Sequence, residues 1–219
     1  MPETFSLFRA VRLANIVVFA TALALAFDHS MASALSRFDL APHWASAERH
    51  LVVADHTGDP AWQEATRHGV AAWNKAAADT GLQLTWTVGR GGCEPDGTRI
   101  SICEARTAAL GGAGSVAREG LARLELGPDR TQAHNGGGLI LVCGDCELRP
   151  ARRRVVATHE IGHILGMVHS ARAASVMYHA GGPDAPDAGD VENLRELYAH
   201  VDRRDRCGFF DLHVGALCF

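Results

Sequence analysis

His159-Glu160-Ile161-Gly162-His163-Ile164-Leu165-Gly166-Met167-Val168-His169-Ser170 is the stretch from which the rest of this chain is best read. On an α-helix each residue advances by about 100°, so positions four apart share a face. His159 and His163 therefore point the same way. Two imidazoles in that relation can close on one zinc ion, with Glu160 beside them to work on a zinc-bound water. His169 stands six residues beyond His163, roughly 240° further round if the helix simply continued. As a ligand it requires the helix to end first. Gly166 supplies the means, because glycine reaches the left-handed conformation without steric cost and commonly closes a helix. Three protein ligands leave a fourth position for water, which is the catalytic kind of zinc site.

Without a metal, the same stretch reads as a buried amphipathic helix whose histidines are satisfied by hydrogen bonds. The glycine and the third histidine weigh against that reading. The stretch resembles the zinc signature of the metzincin metallopeptidases, and Ser170 directly after the third histidine resembles the matrixin branch. That resemblance implies an α/β fold: a twisted, mixed and mostly parallel sheet, two helices above the cleft, and a small C-terminal subdomain with a closing helix. It implies one catalytic zinc (Zn2+) and admits calcium (Ca2+). It also gives Met177, in Ala174-Ser175-Val176-Met177-Tyr178, the place of the methionine whose turn floors the metal ligands. A flexible thioether suits such an irregular gap. Tyr178 directly after the methionine fits the matrixin turn. His179 departs from it, since matrixins usually carry proline there.

Arg9 and Arg12 precede an apolar run from Leu13 to Phe27, and Ala32-Ser33-Ala34 supplies small residues in cleavage-site order. Residues 1–34 are therefore expected to be a secretory signal. The run falls short of the about 20 apolar residues that span a bilayer. An uncleaved N-terminal anchor is the alternative. Residues 35–49 read as a linker, 50–199 as the catalytic domain and 200–219 as a cysteine-containing tail. The net charge of −4 is small, and no basic run or nucleic-acid motif is present, so no nucleic-acid partner is expected. The mature chain is expected to be a monomer with no membrane span.

All six cysteines follow the signal: Cys93, Cys103, Cys143, Cys146, Cys207 and Cys218. An even count in an exported chain suggests disulfides. Nearness along the chain favours Cys93–Cys103, Cys143–Cys146 and Cys207–Cys218. The rival for Cys143-Gly144-Asp145-Cys146 is half of a second zinc site, but no further cysteine or histidine pair completes it.

Hydrophobic patterning predicts strands over 50–55, 82–88, 99–104, 121–126 and 139–142, the last led in by Gly136-Gly137-Gly138. It predicts helices over 61–79, capped by Asp59 with Pro60 first, over 152–166, and over 187–199 with Asp187 or Asp190 as cap. The basic run Arg152-Arg153-Arg154 suits a helix start poorly and is expected in a lead-in loop or in solvent. Leu121, Ala122, Arg123, Leu124, Glu125 and Leu126 read as an exposed strand. In the metzincin fold an edge strand lines the cleft, where an extended peptide can add to it by main-chain hydrogen bonds. A solvent-facing strand with no such role is the alternative. The expectation is thus a secreted zinc endopeptidase acting on protein or peptide, with Glu160 as general base. A zinc-binding module on the same scaffold, without activity, is the alternative from another class.

Overall fold

The computed structural model describes residues 42–94, 99–110, 119–126 and 134–199. The expected signal and the tail with Cys207 and Cys218 lie outside the described residues.

Five strands are described: β1 (His50–Asp55), β2 (Gln83–Val88), β3 (Arg99–Ala105), β4 (Gly120–Leu126) and β5 (Asn135–Cys143). They form one sheet in the order β2-β1-β3-β5-β4. Every pairing is parallel except β4 with β5, which is antiparallel. The sheet is thus mixed and mostly parallel. Val53 stands between Trp86 of β2 and Ile100 of β3. Leu51, Val53, Ile100, Ile102, Ile140 and Val142 are all buried and make the sheet's side of the core.

Helices α1 (Pro60–Ala76) and α2 (Pro150–Ile164) pack against each other, α1 also on β1 and β2 and α2 on β4 and β5. Helix α3 (Ala188–Tyr198) follows α2. The Asp59 carboxylate accepts from the Ala61 N–H at 2.7 Å and Pro60 takes the first helical position, as the sequence suggests. The helix stops at Ala76, short of the expected end, because the Thr80 N–H and hydroxyl both bond the Ala77 carbonyl. Trp62 and Trp73 fill the space beneath α1. Their indole N–H groups donate to the carbonyls of Cys143 (3.1 Å) and Thr158 (2.7 Å), so neither ring buries an unpaired donor.

Three expectations change. Residues 42–49 are not a free linker as far as they are described. His43 and Trp44 are buried, and the Trp44 indole donates to the Ile164 carbonyl at 2.9 Å. A tryptophan that can bury its ring and pair its N–H gains more from the core than from solvent. The glycines at 136–138 lie inside β5 rather than before it. A side chain at Gly138 would come within 3.0 Å of Ile164, so its absence lets the end of α2 sit close on the sheet. Arg152, Arg153 and Arg154 lie within the first turns of α2, not in a loop. Each meets an acid from a distant segment of the chain: Arg152 with Glu119 (2.6 Å), Arg153 with Asp59, and Arg154 with Asp184 (2.8 Å). These carboxylates offset the unfavourable placement of cations at a helix N-terminus. They also tie α2 to its neighbours.

Candidate metal centre

Helix α2 delivers His159 and His163 to one face, one turn apart. It ends at Ile164. Gly166 then takes φ +89°, and the turn closes with the Met167 N–H on the Gly162 carbonyl and the Gly166 N–H on the His163 carbonyl, both 3.0 Å. This is the Schellman arrangement. Gly166 is required twice over: for its φ, and because a β-carbon there would run into the Pro42 carbonyl. The turn brings His169 back beside the helix.

The three rings converge. His163 Nε2 lies 3.1 Å from His159 Nε2 and 3.2 Å from His169 Nε2. All three donor atoms fall within 4.8 Å of one another. Two imidazole nitrogens on one tetrahedral zinc, each at about 2.0–2.1 Å, stand about 3.3 Å apart. The observed spacing is close to that. The other ring nitrogens are committed: His159 Nδ1 meets the Val176 carbonyl and His163 Nδ1 the Met167 carbonyl, both at 2.8 Å. A carbonyl only accepts, so each Nδ1 carries the proton and each Nε2 presents its lone pair to the centre. Burial holds His159 and His163 down to pKa values of about 4, and lowers His169 as well. The tripod is neutral and ready for a cation at ordinary pH. The donor set fits zinc.

Glu160, next to His159 on α2, lies against β4 and reaches the same cleft as His163 and His169. Its carboxylate is buried, which pushes its pKa up to about 8 in the absence of a cation, against a smaller opposing effect of the Ala122 backbone. A side chain at Gly120 would lie 2.8–2.9 Å from Glu160 Cγ and Oε1. The first residue of β4 is therefore glycine where the strand passes over the carboxylate. β4 is an outer strand of the sheet, with Arg123 and Glu125 exposed and Leu121, Ala122 and Leu124 half-buried. It borders an open cleft of about 530 Å³ that also reaches Glu160, His163 and His169, with His179 on its lining.

Met177 is buried beneath α2, its sulfur against Gly162, where a β-carbon would also strike Trp73 at 2.7 Å. The turn is stitched to the residue after His169 by the Ser170 N–H on the Met177 carbonyl, 2.9 Å. Asp190, fully buried on α3, accepts from the Ser175 hydroxyl (2.5 Å) and the Val176 N–H (2.9 Å). Asp187 is the cap of α3, and Asp190 completes a capping box with it. The sequence had offered either aspartate as cap. Nothing in it pointed to Asp190 as the brace of the methionine turn, which also holds the Val176 carbonyl against His159.

The Cys93–Cys103 and Cys143–Cys146 disulfides are present, as nearness along the chain suggests. Cys143, Asp145 and Cys146 also bring donor atoms together. Their sulfurs are bonded to each other, so no thiolate is offered to a metal. His134 packs edge-on to His43 with ring centroids 5.0 Å apart, and His68 meets the Asp184 carbonyl at 2.9 Å. Neither joins the His159–His163–His169 group. Among the described residues no helix is long and apolar enough to cross a membrane.

A helix-borne histidine pair, a glycine turn, a third histidine and a methionine floor, set on a mixed five-stranded sheet, define the fold of the metzincin-type metallopeptidases. Residues 19–199 match the Matrixin family of M10 peptidases, and the chain belongs to that family. Two solved structures of myroilysin are similar at 11% sequence identity. One covers 68% of this chain and 80% of its own at a TM-score of 0.44, and the other 75% and 94% at 0.43. No curated protein matches the sequence.

Proposed function

We propose that this chain is an exported zinc endopeptidase. The observation that carries the reading is the convergence of three Nε2 lone pairs within 4.8 Å, beside a buried carboxylate that lies under an edge strand. His159, His163 and His169 would hold the ion. When bound, zinc would act as a Lewis acid on the scissile carbonyl and lower the pKa of the attacking water towards about 7. The substrate backbone adds alongside β4, from Gly120 to Leu124, at the cleft rim. Glu160 takes the proton of the attacking water, the new C–O bond forms, and Glu160 returns the proton to the amine nitrogen as the C–N bond breaks. Its burial makes the carboxylate a stronger base, able to keep the proton between the two transfers. Export rests on Arg9, Arg12, the apolar run and Ala32-Ser33-Ala34, and cystines suit an oxidising compartment.

The test is zinc content and casein cleavage by the full chain with its disulfides formed, wild type and Glu160→Ala side by side. One zinc in each with cleavage by wild type alone is expected. Cleavage by Glu160→Ala at the wild-type rate overturns the assignment of the base. One zinc in each with no cleavage of casein or of an unstructured peptide mixture moves the reading to a zinc-binding module.

A further inference from the structure

The cleft lining holds a histidine besides His163 and His169 that the metal centre does not use. His179 lines the same cavity as Glu160, His163 and His169. It is not among the residues whose donor atoms cluster within 4.8 Å. It comes from the chain just past the methionine turn, an element separate from β4 and from α2. Its ring meets the Tyr178 ring edge-on, centroids 4.7 Å apart, which restricts its swing. The segment that carries it is well anchored. The Tyr178 N–H bonds the Ser175 carbonyl at 3.1 Å, the Gly181 N–H bonds the Tyr178 carbonyl at 2.9 Å, and Arg152 packs against Gly181.

A polar ring at the rim of the tripod, outside the ligand group but inside the cleft, is placed for the substrate rather than for the ion. Peptide hydrolysis builds negative charge on the scissile carbonyl oxygen. A preorganised N–H donor beside that oxygen acts where charge develops, and costs no reorganisation at the moment of reaction. Glu160 is occupied with the water proton, and the ring N–H groups of His159 and His163 are committed to carbonyls. His179 is the titratable side chain of the cleft lining left over by that assignment. We propose that His179 is a further catalytic residue, donating a hydrogen bond to the scissile carbonyl oxygen as it gains charge. The step transfers no proton from the ring. The water proton travels through Glu160 to the amine, and the His179 N–H only shortens its bond to the oxygen and relaxes it on product release. The proposal rests on the peptidase reading above.

The experiment compares wild type, His179→Phe and His179→Gln, all as full chains loaded with zinc. It reads kcat and KM on an unstructured peptide, zinc affinity by chelator competition, and affinity for a phosphinic peptide that mimics the charged oxygen. His179→Phe keeps an aromatic wall without a donor, and His179→Gln restores a donor. The expected result is a fall in kcat for His179→Phe of about 10²-fold, the usual scale for one oxyanion donor. KM and zinc affinity stay near wild type, phosphinic-peptide affinity falls in parallel with kcat, and His179→Gln recovers part of both. Wild-type kcat and phosphinic-peptide affinity in His179→Phe overturn the proposal. So does a raised KM with unchanged kcat, which makes His179 a specificity wall, and so does a marked loss of zinc affinity, which makes it a ligand. A wild type that binds zinc but neither cleaves peptide nor binds the phosphinic peptide removes the peptidase reading itself, and this proposal with it.

Discussion

Asp190 shows how much a single side chain can decide here. Its two oxygens hold the Ser175 hydroxyl and the Val176 N–H, and the Val176 carbonyl in turn holds His159 Nδ1. Removing the carboxylate leaves buried donors unpaired, each worth about 1–3 kcal/mol. Asp190→Ala is therefore expected to lower the thermal midpoint, and to weaken zinc binding about 10–100-fold, the usual cost of losing support behind a ligating histidine. Chelator competition and a thermal melt check both, and a variant with unaltered zinc affinity would refute the coupling. Gly166 is the second decisive residue. Gly166→Ala forces an L side chain into a left-handed φ, costing about 1–2 kcal/mol before its clash with the Pro42 carbonyl is counted. The expected outcome is a destabilised chain with weakened zinc binding, because His169 no longer returns to the tripod.

At the scale of elements, β4 and the start of α2 carry the argument. Gly120 lets the strand lie on Glu160, so Gly120→Ala is expected to push the carboxylate aside. The rate of peptide cleavage should fall while zinc content holds. A rate equal to wild type would show that the strand yields instead. Around α2, hydrogen bonding to Arg154 holds the Asp184 carboxyl below its ordinary pKa, and hydrogen bonding to Arg172 does the same for Asp187 at the cap of α3. A depressed pKa means that the folded state favours the charged form. This stabilisation is complete above the unfolded aspartate value and is lost as pH falls through the folded one. Melts from pH 6 downwards should therefore show an acid-side loss of stability that is smaller in Asp184→Asn, and identical profiles would exclude the contribution.

At the scale of the whole molecule, an ion held by His159, His163 and His169 would add to stability. A ligand that binds only the folded state adds about 4 kcal/mol when present a thousandfold above its Kd. Stripping the ion with a chelator is expected to lower the melting temperature yet leave a cooperative transition. The core around Trp44, Trp62 and Trp73 and the sheet make no use of the metal, and His159 and His163 already have carbonyl partners. Loss of cooperative unfolding after chelation would mean that the metal is needed for the fold itself.

The convergence of His159, His163 and His169 was legible in the residue string because it is local. The 3.6-residue repeat sets His159 beside His163, and a glycine after the turn is the cheapest way to bring back His169. Strand and helix positions were legible for the same reason: alternation, Asp59 with Pro60, and glycine stops act over a few residues. The disulfides Cys93–Cys103 and Cys143–Cys146 close short loops and followed from nearness. What escaped the sequence acts between segments far apart in the chain. Three acids from three separate segments make a basic helix start tolerable, Asp190 braces the methionine turn from α3, Trp44 ties an expected linker to the end of α2, and Gly120 yields space to Glu160. Periodicity and capping are properties of neighbouring residues, whereas partner choice for a buried charge or ring depends on which elements the fold brings together. The tertiary structure alone decides that.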